Sequence, residues 1–205
     1  MRKKAQKKSA QLSSVQTIII KLEGKTPLLM ASDRASDPLS NDAQWLSQIS
    51  AKRKKTNEDF AELARREFLV ALYTEAGKVI YPIDNVHACL YSAARKRKEG
   101  PVFMAGLRVS DVELHYDGPR NPNELWEIES FRDRRSVRVG QNKIFRTRPK
   151  FSEWGMTITA LLDTEYADSF NLEEWVAIAG RQIGIGDYRP QKGGLFGTFE
   201  GTIQD

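Results

Sequence analysis

Hydrophobic and polar positions change rhythm several times along the chain, and each change predicts an element. From Ser14 to Glu23 the residues are β-rich around Thr17-Ile18-Ile19-Ile20, which predicts a strand ending at Gly24. Lys25-Thr26-Pro27 leads into Leu28-Leu29-Met30, a second short extended segment or a continuation after a bulge. Residues 31–56 then lose the core pattern. They form a polar excursion, Ala31 to Ser40, a short helix around Asp42–Ile49, and the run Lys52-Arg53-Lys54-Lys55. An insertion this long without a strong apolar pattern is more often functional or mobile than packed.

Helical periodicity begins at Thr56, a cap with Asp59 three residues on. Phe60, Leu63, Ala64, Phe68, Ala71 and Leu72 share one face, and Gly77 is the expected stop. Lys78–Tyr81 reads as a short strand ending at Pro82. Asp84 or Asn85 is the expected cap of a helix carrying Val86, Cys89, Leu90, Ala93 and Ala94 on its apolar face. That helix ends in Arg95-Lys96-Arg97-Lys98, which complements the negative end of its dipole. Residues 102–116 read as one or two strands, followed by a turn at residues 117–122. A hairpin is predicted from Ser136 to Phe151, turning at Gly140-Gln141-Asn142, and a strand over Met156–Leu162. Asn171 caps a last helix with Leu172, Trp175, Val176, Ala179 and Ile183 inward, before a glycine-rich loop and a strand near Thr198–Ile203. Strands and helices mixed in this order predict an α+β fold, an antiparallel sheet with helices on one face. One domain over 14–205 with an insertion at about 31–56 follows, preceded by a basic arm over residues 1–13 with too little apolar surface to order in isolation.

Composition narrows the chemistry. Of 205 residues, 32 are Lys or Arg and 27 are Asp or Glu, a net charge of only +5, so distribution matters more than excess. Cys89 is the only cysteine, which excludes an intrachain disulfide or a cysteine-based zinc cluster and fits a reducing, cytoplasmic compartment. The longest apolar run near the start, residues 17–20, is too short to span a membrane. His87 and His115 are the only histidines. The i, i+2 spacing of His87 and Cys89 on a helix points them to different faces, against a Cys–His nucleophile pair. No cofactor or metal site is expected.

Three segments resemble, in order, the RAMP superfamily, the RNA-recognition-motif-like backbone proteins of CRISPR effector complexes. They are the first strand with Gly24-Lys25-Thr26-Pro27-Leu28-Leu29-Met30; Val79 to Asn85, where Ile83-Asp84-Asn85 stand in place of the family's Gly-Ser-Ser turn; and the glycine-rich Gly180–Phe199. The chain also resembles small phage or prophage proteins. The resemblance implies a ferredoxin-like (RRM-like) fold and a non-catalytic subunit that binds single-stranded nucleic acid, RNA by the family's habit. It also implies assembly with copies of itself or with other subunits.

Residue chemistry is consistent with that implication. Eight basic residues and one acid lie between Arg132 and Lys150. On a hairpin Arg146 and Arg148 share a face while Phe145, Thr147 and Phe151 take the other, so guanidinium groups can meet phosphates above a packed layer. Arg132, Arg134, Arg135 and Arg138 are further candidates there, as are Lys52, Arg53, Lys54 and Lys55 on a basic finger. In the glycine-rich loop the candidates are Gly184, Gly186, Arg189 and Lys192 for phosphate, with Tyr188 and Phe196 for stacking. Solvated, salt-bridged surfaces explain the same charges. A phage-encoded structural or regulatory interaction protein, its basic face meeting an acidic partner, is the first alternative reading. The second is implied by the resemblance, since some members of that superfamily cleave bound RNA with an aspartate after the first strand: a metal-dependent RNA-cleaving subunit using Asp33 or Asp37, although aspartates beside Ser and Pro also suit turns.

Overall fold

Alternation of Ile18, Ile20 and Leu22, all buried, places one side of β1 (Val15–Gly24) on the core. The computed structural model describes residues 15–166 and 170–204, so the expected arm over residues 1–13 lies outside the described residues, as does Ser14. β1 pairs with β8 (Gly155–Asp163) on one side and β9 (Phe199–Gln204) on the other, and β5 (Leu107–His115) completes a sheet in the order β5-β8-β1-β9. Every neighbouring pair is antiparallel. Hence β1 runs parallel to β5 and β8 parallel to β9, each pair joined by a helical crossover. In β5 the inward residues change parity, from Leu107 and Val109 to Leu114, and a bulge between Val109 and Asp111 supplies the extra residue.

Helices α3 (Ile83–Lys96) and α6 (Leu172–Ile178) cover the core face. The expected stripe Val86, Cys89, Leu90, Ala93 and Ala94 is buried throughout. Two caps differ from expectation. α3 starts directly after Pro82 with no side-chain cap, so Asp84 sits in its first turn. Asn171 stands at the start of α6, but its amide bonds the Glu174 carboxylate at 2.7 Å instead of the backbone. The expected strand over 102–106 is a helix instead, α4 (Gly100–Gly106), with Pro101 in its first turn. Phe103 buries that helix against Trp175, ring centroids 5.6 Å apart.

The remaining strands form a second sheet. β2 (Leu28–Leu29) pairs with β7 (Asn142–Phe151), which pairs along its length with β6 (Arg132–Val139). The hairpin therefore begins four residues earlier than Ser136, and its two-residue turn, Gly140-Gln141, takes positive φ at the glycine. α2 (Asn57–Ala71) packs on β7 behind a capping box in which Thr56 and Asp59 exchange hydrogen bonds. A short helix, α5 (Pro122–Glu127), closes the other side through Trp126, edge-on to Phe68 at 5.3 Å.

α2 ends at Ala71, not Gly77. Ala76 and Gly77 instead form the positive-φ turn of a small hairpin, β3 (Thr74–Glu75) and β4 (Lys78–Val79). The stop is tertiary: the Arg34 guanidinium donates to Leu69, Val70 and Leu72 carbonyls, and Ser32 donates to Val70 and Ala71. These bonds also seat the insertion, whose helix α1 (Asn41–Ala51) lies along α2 with Asp42 on Arg66 at 3.2 Å. Among the described residues no helix is long and apolar enough to cross a membrane. Replacing Arg34 with Ala should cost about 1 kcal/mol and speed amide exchange in residues 31–51 and the last turn of α2, leaving the main sheet protected. Uniform exchange across the chain would contradict this.

Candidate nucleic-acid interface

The hairpin β6–β7 carries six of the sixteen expected binding residues, and its register sorts them. Asp133 lies opposite Arg148, Arg135 opposite Arg146, and Val137 opposite Ile144, so these share one face. Arg132, Arg134 and Ser136 share the other with Pro149, Thr147 and Phe145. The alternation expected for Arg146 and Arg148 against Thr147 and Phe151 holds, with Thr147 and Phe151 buried. Phe145 keeps that face but is not packed. At 62% exposed it stands beyond the end of the packed layer, with the Arg134 guanidinium 5.5 Å from its ring centre.

Four of the hairpin arginines are engaged within the protein. Arg146 bonds the Glu67 carboxylate of α2 at 2.5 Å, and Arg148 meets Asp187 of the glycine-rich loop. Arg135 forks onto Asp133 through two 2.5 Å bonds and lies 4.7 Å over the Phe196 ring. Those bonds to Asp133, with the carboxylate charges of Asp133 and Asp187, hold the Arg135 guanidinium above the usual arginine range. Arg132 covers Trp126 at 4.9 Å. These side chains hold the hairpin to its surroundings.

Glu67 is the residue that sequence reasoning passed over. It lies at the helical spacing of Phe60, Ala64 and Ala71 and is only 9% exposed. β2 ends beside Pro149, whose carbonyl accepts from Met30 at 3.1 Å, and beyond it β7 has a bare edge. There the Glu67 carboxylate accepts the Thr147 N–H at 2.9 Å, serving as the missing strand. A lone acid inside an apolar helical stripe was the readable signal.

Three cations without an ion pair among the described residues come together at the hairpin tip. Arg53, Arg134 and Lys143 line a groove of about 540 Å³ between the α1–α2 connection, α2 and the hairpin tip, together with Lys55 and the exposed Phe60 and Phe145. Phe60, 45% exposed, was expected on the core face of α2, but it sits in the first turn, beyond the core. The run 52–55 is a short connection between helices. Lys52 bridges Asp59 at 2.8 Å and Lys55 donates to the Ser50 and Lys52 carbonyls at 3.0 Å, while Arg53 and Lys54 are exposed and without ion pairs among the described residues. Arg138 is likewise exposed and unpaired among the described residues.

The glycine-rich loop wraps against the root of the hairpin. Gly184 and Gly186 take positive φ, and a Cβ on Gly186 would strike the Leu29 carbonyl at 2.4 Å. The Gly186 N–H donates to the buried Tyr81 hydroxyl at 2.8 Å, so it is not free for a phosphate. Arg189 bonds the Gly186 carbonyl at 2.9 Å, Lys192 is exposed, and Tyr188 and Phe196 lie 5.9 Å apart. Beneath the loop Cys89 donates toward the Gly184 carbonyl at 3.4 Å, and burial pushes its thiol up to about 12. Its helix neighbour His87 turns away, edge-on to Phe103 at 5.1 Å.

Two other surfaces differ in character. The open face of the main sheet carries residues such as Thr17, Lys21, Glu23, Glu113, Thr157 and Thr202, and no Phe, Tyr or Trp among the described residues. It therefore lacks the aromatics on which an RNA-recognition-motif sheet stacks bases. Asp33 and Asp37 are exposed, Asp33 opening a short 3-10 helix and Asp37 ending it and accepting the Leu39 N–H at 2.9 Å, and no metal-ligating cluster of three or more side chains occurs among the described residues. No protein-family model matches the chain, and no curated protein sequence matches it.

Removing Glu67 tests the edge cap. Glu67→Ala leaves a buried N–H and a half-buried guanidinium unpartnered and should cost about 2–3 kcal/mol in urea denaturation. Glu67→Gln keeps an acceptor for Thr147 and should lose roughly half as much. Equal losses for both, or a loss under about 0.5 kcal/mol for Ala, would contradict this role.

Proposed function

We propose that the chain is a non-catalytic subunit that binds single-stranded nucleic acid, RNA before DNA, on a ferredoxin-like framework, and that it works within an assembly. The framework reading is supported by the strand order β9-β1-β8-β5 and by its two split β-α-β crossovers. The observation that carries the binding reading is the groove at the hairpin tip. Arg53, Arg134 and Lys143, without ion pairs among the described residues, surround two exposed phenylalanines, Phe60 and Phe145. Cations supply sequence-independent attraction to phosphates, and an aromatic face accepts any unstacked base. A duplex hides its base faces, so the aromatic pair selects a single strand.

Binding of fluorescein-labelled U20 and dT20 should weaken linearly in log–log form as salt rises, by about 0.7 of slope per phosphate contact. Arg53→Ala with Arg134→Ala and Lys143→Ala should lower that slope by about 2 while stability changes by less than about 0.5 kcal/mol per substitution. Absent or salt-independent binding, with a stoichiometric protein partner recovered free of nucleic acid, would overturn this reading in favour of an interaction protein.

A further inference from the structure

Three non-glycine residues among those described take positive φ: Ala76, Lys98 and Tyr188. Ala76 shares a hairpin turn with Gly77, and Lys98 follows the C-terminus of α3, both ordinary places for a left-handed residue. Tyr188, at φ +52°, is in neither. A bulky side chain there is strained, and the same loop uses glycine at five other left-handed or close-packed positions, residues 184, 186, 193, 194 and 197. The backbone is locked from both sides. The Tyr188 carbonyl accepts from Phe196 at 3.0 Å, the Asp187 N–H donates to Leu29 at 2.8 Å, and a Cβ on Gly194 would fall 1.7 Å from the Tyr188 oxygen.

Packing does not account for the tyrosine. Its side chain is 45% exposed, touching Phe196 in a tilted contact whose ring is itself covered by Arg135. Lys192 and Arg181 lie exposed on the same loop and the turn before it, without ion pairs among the described residues. We propose that Tyr188 is held out as a base-stacking residue, forming with Phe196 a second shelf, apart from the Phe60–Phe145 groove, for one unpaired nucleobase. The proposal rests on the single-strand reading above. Arg135 ties the shelf to the hairpin, because it stacks on Phe196 from the strand opposite Arg146. A strand using both places wraps the hairpin edge, which only a flexible, unpaired chain can do.

The experiment compares U20, dT20 and an abasic 20-mer of equal charge. The wild type should prefer the base-bearing strands. Tyr188→Gly frees the strained φ, so its Tm should be unchanged or about 2–4 °C higher, while U20 and dT20 bind about 10- to 100-fold more weakly and the abasic strand binds as before. Tyr188→Asn, also tolerant of positive φ, should lose the same binding, and Tyr188→Phe should keep it. Wild-type affinity in the Gly and Asn variants, or a Tm several degrees lower in both, would overturn the shelf while leaving the groove intact. A wild type that binds none of the three strands would overturn the single-strand reading and the shelf with it.

Discussion

One buried carboxylate holds the second sheet to the rest of the molecule. Glu67 projects from the apolar face of α2 into the bare edge of β7, where it takes the Thr147 N–H and the Arg146 guanidinium together. Without an acceptor there, a buried donor would be left unsatisfied at the one place where β2 is too short to pair. β7 is thus fixed by three different partners along its length: β6 throughout, β2 at its root, and a side chain between. A two-stranded ribbon standing alone would be marginal, so its presentation as a rigid arm depends on this anchoring.

That constraint divides the positive charge into two populations. Arg135, Arg146 and Arg148 are matched to Asp133, Glu67 and Asp187, and they join hairpin, helix and glycine-rich loop. Arg53, Arg134 and Lys143, without ion pairs among the described residues, line the groove of the exposed Phe60 and Phe145, and Arg138 is likewise exposed. A basic cluster in a sequence is therefore two things at once, a scaffold and a surface, and only the surface has charge to offer a phosphate. The open face of the main sheet, which carries no Phe, Tyr or Trp among the described residues, directs the functional reading to the hairpin side.

Much of this was legible in the residues. Period-two burial in β1 and β8, the helical stripe of α3 and the Thr56–Asp59 cap are local patterns, and local patterns survive into the fold. Apart from the two helix caps, the main misreadings share one cause, contacts between distant residues. α2 stops where Arg34, some 35 residues earlier, takes its last carbonyls, and nothing near Gly77 announces it. α4 reads as a strand because its short apolar run is bracketed by glycines, yet Phe103 finds Trp175 far along the chain. Phe60 and Phe145 read as core because apolar periodicity cannot tell where the layer beneath them ends. The pairing of Asp187 and Glu67 with the arginines was hidden for the same reason, since both acids lie on other elements, although the lone acid in the α2 stripe marked Glu67 itself.

The central claim is that a single strand lies along the hairpin and the loop beside it, not on the open sheet. Photo-crosslinking a 5-iodouridine-substituted U20 to the full chain, then mapping adducts by mass spectrometry, tests it most directly. Adducts at Phe60, Phe145 and Tyr188 are the expected result. Adducts confined to the open faces of β1, β5 and β8, or none at concentrations where the strand is bound, would contradict the account.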